Sequence, residues 1–128
     1  MKKLFISCPM KGRTEENIRK SMDKMHRIAE IVFEQELEVI PTYITDNPPK
    51  DVQQAVWYLG KAVQMMAEAD FYIGIGYSDF FHGCSVENDI AQKYGIQCTF
   101  VNVRELMPDA IEVEENYWRS MVKTEETP

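Results

Sequence analysis

The sequence predicts an α/β fold, a mainly parallel sheet of four or five strands between helical layers in a three-layer sandwich. Three observations predict it. Short apolar runs alternate with longer stretches of helical spacing through most of the 128 residues, which is the pattern of a parallel sheet with crossover helices. The run Phe71 to Gly76 is apolar without alternation, as in a strand covered on both faces. Turn formers punctuate the runs, at Cys8-Pro9, at Asp46-Asn47-Pro48-Pro49 and at Gly95.

Each element has its own warrant. Lys3 to Ser7 is β-branched and aromatic and stops at Cys8-Pro9, so it reads as the first strand. After a turn around Gly12, Thr14 caps a helix whose first turn holds Glu15 and Glu16, suited to its positive end. Ile18, Met22, Met25, Ala29, Val32 and Phe33 follow at helical spacing, and the helix should end near Gln35. Glu38 to Pro41 reads as a second strand and Thr42 to Lys50 as a loop. Asp51 is expected to cap a second helix with Val52, Val56, Leu59, Val63 and Met66 on one face. Phe71 to Gly76 is the third strand, and Tyr77 to Gly83 a loop. Cys84 or Ser85 caps a third helix that ends at the C′ glycine Gly95. Gln97 to Val103 is a fourth strand, and a final amphipathic helix follows Pro108. Residues 1–122 read as a single domain and 123–128 as a frayed tail.

Composition narrows the function. A chain this long removes roughly two-thirds of its unfolded surface from water, and 45% hydrophobic content excludes a disordered one. The net charge of −7 argues against duplex nucleic acid or an anionic membrane as partner, but not against one nucleotide in a local cationic pocket. No apolar run approaches the roughly 18 residues of a membrane span, and Leu4 to Ser7 is too short for a signal-peptide core. Three cysteines, Cys8, Cys84 and Cys98, form no disulfide framework, so a reduced cytoplasmic protein is expected.

In parallel sheets of this kind, ligands bind beyond the carboxyl ends of the strands, where strand order reverses. Three segments meet that edge: Cys8 to Arg13, Pro41 to Lys50, and Gly76 to Glu87. Glu87 is placed in the first turn of the third helix, on the face it shares with Ile90, Ala91 and Tyr94. Burial raises the pKa of such a carboxyl and a helix N-terminus lowers it. The bland alternative is a carboxylate that only complements the helix dipole. The first turn, Cys8-Pro9-Met10-Lys11-Gly12-Arg13, is neither a G-x-G-x-x-G nor a P-loop. Lys11 and Arg13 are expected to grip a phosphate or ribose at its rim or else to be solvated charge. Tyr77, Phe80 and Phe81 are expected as exposed loop aromatics, which are costly unless they stack on a ligand or a second subunit. Cys8, His82 and Cys84 share the edge, but their spacing matches no zinc pattern, so no metal and no cofactor are expected. A Cys8 nucleophile with His82 as its base is a lesser candidate. His26, on the flank of the first helix, reads as solvated.

The segments Phe5 to Thr14, Trp57-Tyr58-Leu59-Gly60-Lys61, Ala69-Asp70 and Gly83-Cys84-Ser85-Val86-Glu87 together resemble the DUF4406 family of bacteria and their phages. That family is similar to the nucleoside 2-deoxyribosyltransferase-like superfamily, which includes deoxynucleoside-monophosphate glycosidases. The resemblance runs in order through residues 3–103. It implies a flavodoxin-like sheet, a homo-oligomer and a bacterial or phage-infected cytoplasm. In the transferases a Glu after a Gly-Ser-type turn attacks the anomeric carbon, and Glu87 after Gly83 matches it. The resemblance thus implies cleavage or exchange of an N-glycosidic bond with Glu87 as nucleophile; Asp79 or His82, neither at the family's matching place, would serve as acid and base. Cys8 to Arg13, Tyr77, Phe81, Gly83, Cys84 and Ser85 would hold the substrate. The transferases also carry an Asp where this chain has Lys61 or Ala62, and acidic or Ser residues where it has Phe81 and His82. Those departures motivate the alternative, a non-catalytic protein that sequesters a nucleotide-derived signal such as a cyclic ADP-ribose. A third reading is an assembly subunit, with Trp57, Tyr117 and Trp118 at its interfaces.

Overall fold

The computed structural model describes residues 1–42, 44–76 and 80–126, with side chains through Val122. Tyr77 and Asp79 lie outside the described residues.

The chain runs β1 (Lys2–Ile6), α1 (Glu15–Phe33), β2 (Leu37–Val39), α2 (Gln54–Met66), β3 (Phe71–Ile75), α3 (His82–Lys93), β4 (Gln97–Val101), α4 (Val103–Leu106) and α5 (Pro108–Glu126). Among the described residues the strands form one sheet in the order β2-β1-β3-β4. Every pairing is parallel, with Leu4 opposite Val39 and Phe71, and Ile73 opposite Ile6 and Thr99. This is the three-layer sandwich the alternation predicts, with the flavodoxin-like parallel sheet that the resemblance implies.

Side-chain alternation along each strand divides the core in two. Leu4, Ile6, Phe71, Ile73 and Ile75 bury one face with Met25 and Ala29 of α1, and Met107 and Ala110 extend that cluster. Phe5 and Tyr72 bury the other, with Met66 of α2 and Ala91 of α3. Their rings lie parallel at 5.8 Å. β1 is followed by a strand on one side and β3 by a strand on the other. Strand order therefore reverses between the carboxyl ends of β1 and β3, the place where ligands bind in open parallel sheets.

Several boundaries match their sequence signals. Thr14 Oγ1 accepts the Asn17 N–H at 3.1 Å, capping α1. Gly95 takes φ +76°, as a left-handed helix stop requires. Others differ. Gln53, not Asp51, caps α2, its Oε1 accepting the Val56 N–H at 3.0 Å. Of the expected face, Val63 and Met66 do turn inward, with Ala62 beside them, whereas Val56 is 63% exposed. β4 stops at Val101 because Asn102 caps the short α4, accepting from the N–H groups of Arg104 and Glu105. α3 begins at His82, before the expected cap at Cys84 or Ser85, with no side chain capping it. Phe81 anchors that start by burial, 5% exposed, rather than by a hydrogen bond. Among the described residues no helix is long and apolar enough to cross a membrane.

Candidate functional site

The early start of α3 moves Glu87 from the first helical turn to the second. The dipole of the helix end fades within one turn, so burial decides the state of this carboxyl. Cys84, Glu87 and Ala91 form the buried face of α3. Tyr94, expected on the same face, is 82% exposed because α3 has already ended.

Ser7 meets Glu87 at the switch point. The residue follows β1, and its N–H donates to Ile73 O at 2.9 Å, fixing it against β3. Its hydroxyl donates to Glu87 Oε1 at 2.7 Å, with both groups buried. Oε2 has no such bond among the described residues. Burial pushes the Glu87 pKa up, and the Ser7 hydrogen bond opposes it without cancelling it. The surroundings are neutral. Burial carries the Tyr72 phenol far above its ordinary range, and the Cys84 thiol is pushed up to about 12 for the same reason. Beside them the Tyr72 O–H donates to Asn88 Oδ1, and Asn88 Nδ2 donates to Ile75 O at 2.8 Å. Gly74 makes room for this pair: a Cβ there would sit 2.3 Å from Asn88 Oδ1.

The first turn holds a second buried charge. The Arg13 side chain is 0% exposed. Its Nε and Nη2 donate to the two oxygens of Asp109 at 2.7 and 3.0 Å, a bidentate pair. Nη1 donates to Pro9 O at 2.8 Å, and Nη2 also reaches Ser21 Oγ at 2.6 Å and Asn17 O at 3.3 Å. The guanidinium is committed to the protein, so it is neither solvated surface charge nor a free grip for phosphate. The same hydrogen bonds, more than the charge alone, hold the Asp109 carboxyl below the usual range. Gly12 takes φ +72°, and a Cβ there would lie 2.6 Å from Val113 Cγ1. Arg13 and Gly12 therefore strap this turn to α5.

The remaining expected site residues separate clearly. Lys11 is exposed, with Nζ 4.6 Å from the Phe80 ring centre and 5.3 Å from that of Tyr117. Met10 is exposed beside it, while Pro9 is buried. Phe80 and Phe81, expected as exposed loop aromatics, are each 5% exposed, packed edge to face in the core. Cys8 is buried too, and burial pushes its thiol up to about 11 despite the nearby Arg13. That thiol stays protonated at neutral pH, which removes it as a nucleophile. His82 and Gly83 are exposed in the first turn of α3, Ser85 is half-buried, and nothing crowds a Cβ at Gly83. Gly83 is thus a helical residue, not the glycine of a tight turn. His26 is not simply solvated: Nε2 lies 2.9 Å from Leu37 O and 3.3 Å from Glu30. Among the described residues no group of three His, Cys, Asp or Glu is arranged to hold a metal ion.

Ser7, Tyr72, Asn88 and Asp109 were not singled out by sequence reasoning. Ser7 carried a signal, as the polar residue that closes an otherwise apolar strand. Asp109 carried none, lying 96 positions from Arg13. No family model, curated protein or solved structure matches the chain.

Proposed function

We propose that this protein binds a nucleoside or nucleotide at the carboxyl ends of β1 and β3 and cleaves or exchanges its N-glycosidic bond, with Glu87 as nucleophile. The observation that carries the reading is the Ser7–Glu87 pair: a buried carboxyl at the strand-order reversal, with one oxygen oriented by a hydroxyl. The reaction class comes from the resemblance to DUF4406 and the deoxyribosyltransferase-like superfamily.

In its ionised form Glu87 attacks the anomeric carbon. The carbon–nitrogen bond breaks, and its electron pair leaves with the base, which takes up a proton. Water then attacks the same carbon, or a second base does so in exchange, and the carboxylate is released. His82, exposed at the start of α3, or Asp79 supplies and recovers the proton. Lys11, whose ammonium has no ion-pair partner among the described residues, is the group for a phosphate.

Chromatography of nucleosides and nucleotides incubated with the protein tests this reading. Released base is expected, falling at least about 10³-fold in Glu87→Ala. Absence of release across the panel at high protein concentration overturns turnover.

One observation favours a second reading. The groups nearest Glu87 are neutral hydroxyl, phenol and thiol groups, and burial favours its protonated form. A neutral carboxyl there suits capture of an intact nucleotide-derived signal, such as a cyclic ADP-ribose. Mass spectrometry of ligand recovered by denaturation separates the two readings: intact ligand for capture, base and sugar for turnover. In either case a homo-oligomer is proposed, through the exposed stripe Tyr117, Trp118, Met121 and Val122 of α5.

A further inference from the structure

We propose that the cleft between α3 and β4 is a second ligand site, for a planar heterocycle that carries N–H donors and no phosphate. The inference goes beyond the glycosidic reading: the cleft shares Phe81 and Ser85 with the residues expected to hold that substrate, but it does not use Glu87. Its volume is about 350 Å³, at the lower end of small-molecule pockets. Gly76, Ser85, Asn88, Asp89, Gln92 and Phe100 line it. Positions 85, 88, 89 and 92 share one side of α3, whereas Cys84, Glu87 and Ala91 face the core.

The chemistry of the lining selects the ligand. Phe100 is 38% exposed and packs edge-on against the buried Tyr72 at 6.2 Å, which fixes its ring as a stacking surface. The exposed carboxylate of Asp89, with no ion-pair partner among the described residues, accepts N–H donors at the edge of a stacked ring. Ser85 and Gln92 add a hydroxyl and an amide. Among the described residues no Lys, Arg or His lines the cleft, so a phosphate would meet a carboxylate without a cation. The wall is pre-set, since Asn88 is held by the Tyr72 hydroxyl on one side and Ile75 O on the other. The floor is pre-set as well, Gly76 N–H donating to Val101 O at 2.9 Å.

Titration of the ¹⁵N-labelled protein with adenine and cytosine, and with adenosine monophosphate as counter-probe, tests the proposal. At least one base should shift the amides of Gly76, Ser85, Asp89, Gln92 and Phe100 saturably, and the monophosphate should bind there less tightly. Phe100→Ala should weaken the base by about tenfold, the cost of one lost stacking contact. Asp89→Lys should reverse the preference toward the monophosphate, and each variant's own spectrum shows whether it is folded. Glu87→Gln should leave the cleft titration unchanged, so failure of the glycosidic reading and failure of this one are read separately. The proposal is overturned by no saturable shift at these amides with either base. Equal affinity in both cleft variants, or tighter binding of the monophosphate than of either base at these same amides in the wild type, overturns it too.

Discussion

Arg13 and Glu87 are both buried charges at the carboxyl edge of the sheet, yet they are held in opposite ways. Arg13 meets a carboxylate, a hydroxyl and two carbonyls within 3.3 Å. Glu87 meets one hydroxyl among neutral neighbours, and burial pushes it toward its protonated form. A buried charge that is fully paired serves the fold. One that is under-paired and shifted by desolvation is a candidate for chemistry.

Breaking Arg13 should give the largest stability effect. Arg13→Met leaves Asp109 and the turn carbonyls without their donor, and should cost about 3–5 kcal/mol in urea denaturation. The double variant Arg13→Met with Asp109→Leu should recover part of that loss. A cost under about 1 kcal/mol for the single variant would erase the contrast between the two sites. This pair also has a pH signature. Asp109 has a depressed folded pKa, so its contribution is present above the unfolded carboxylate pKa and is lost as pH falls through the folded value.

Glu87 should behave in the reverse sense. Its folded pKa is raised, so stability is greatest below the unfolded pKa and declines as pH rises through the folded one. Glu87→Gln, which cannot ionise, should therefore be more stable than wild type at neutral and alkaline pH. The gap should reach about 1–3 kcal/mol, the scale of desolvating one polar group, and narrow as pH falls. Thermal melts across pH read it directly, and a variant less stable than wild type at every pH would make Glu87 a structural carboxylate. The smallest effect belongs to Ser7→Ala, about 0.5–1.5 kcal/mol for one hydrogen bond. Because that bond favours the carboxylate, its loss should move the Glu87 titration, followed by NMR, to higher pH. An unmoved titration would remove Ser7 as its positioning residue.

The sheet was legible in the sequence chiefly through β1 and β3, apolar runs between turn formers that are buried on both faces, whereas β2 and β4 at the edges are only partly buried. The start of α3 was not. Phe80, Phe81 and His82 lack a capping side chain, and the helix is anchored there by core packing, which local sequence does not advertise. That shift moved Glu87 by a turn but kept it on the buried face. Arg13 read as a ligand grip or as solvated charge because its partner, Asp109, is remote in sequence and ordinary in context. Phe80 and Phe81 read as exposed because they sit in a predicted loop, whereas burial depends on what the rest of the chain lays over it.

The Arg13–Asp109 pair and the Gly12–Val113 contact join the turn after the first strand to the last helix. During synthesis, all four strands leave the ribosome before Asp109 does. The nascent sheet can pair while its first turn still lacks the partner that shapes it. Trimming the chain before residue 109 should therefore leave a protein able to assemble strands but unable to fix the first turn at the carboxyl edge of its sheet. The shape of that edge is therefore tied to the arrival of α5.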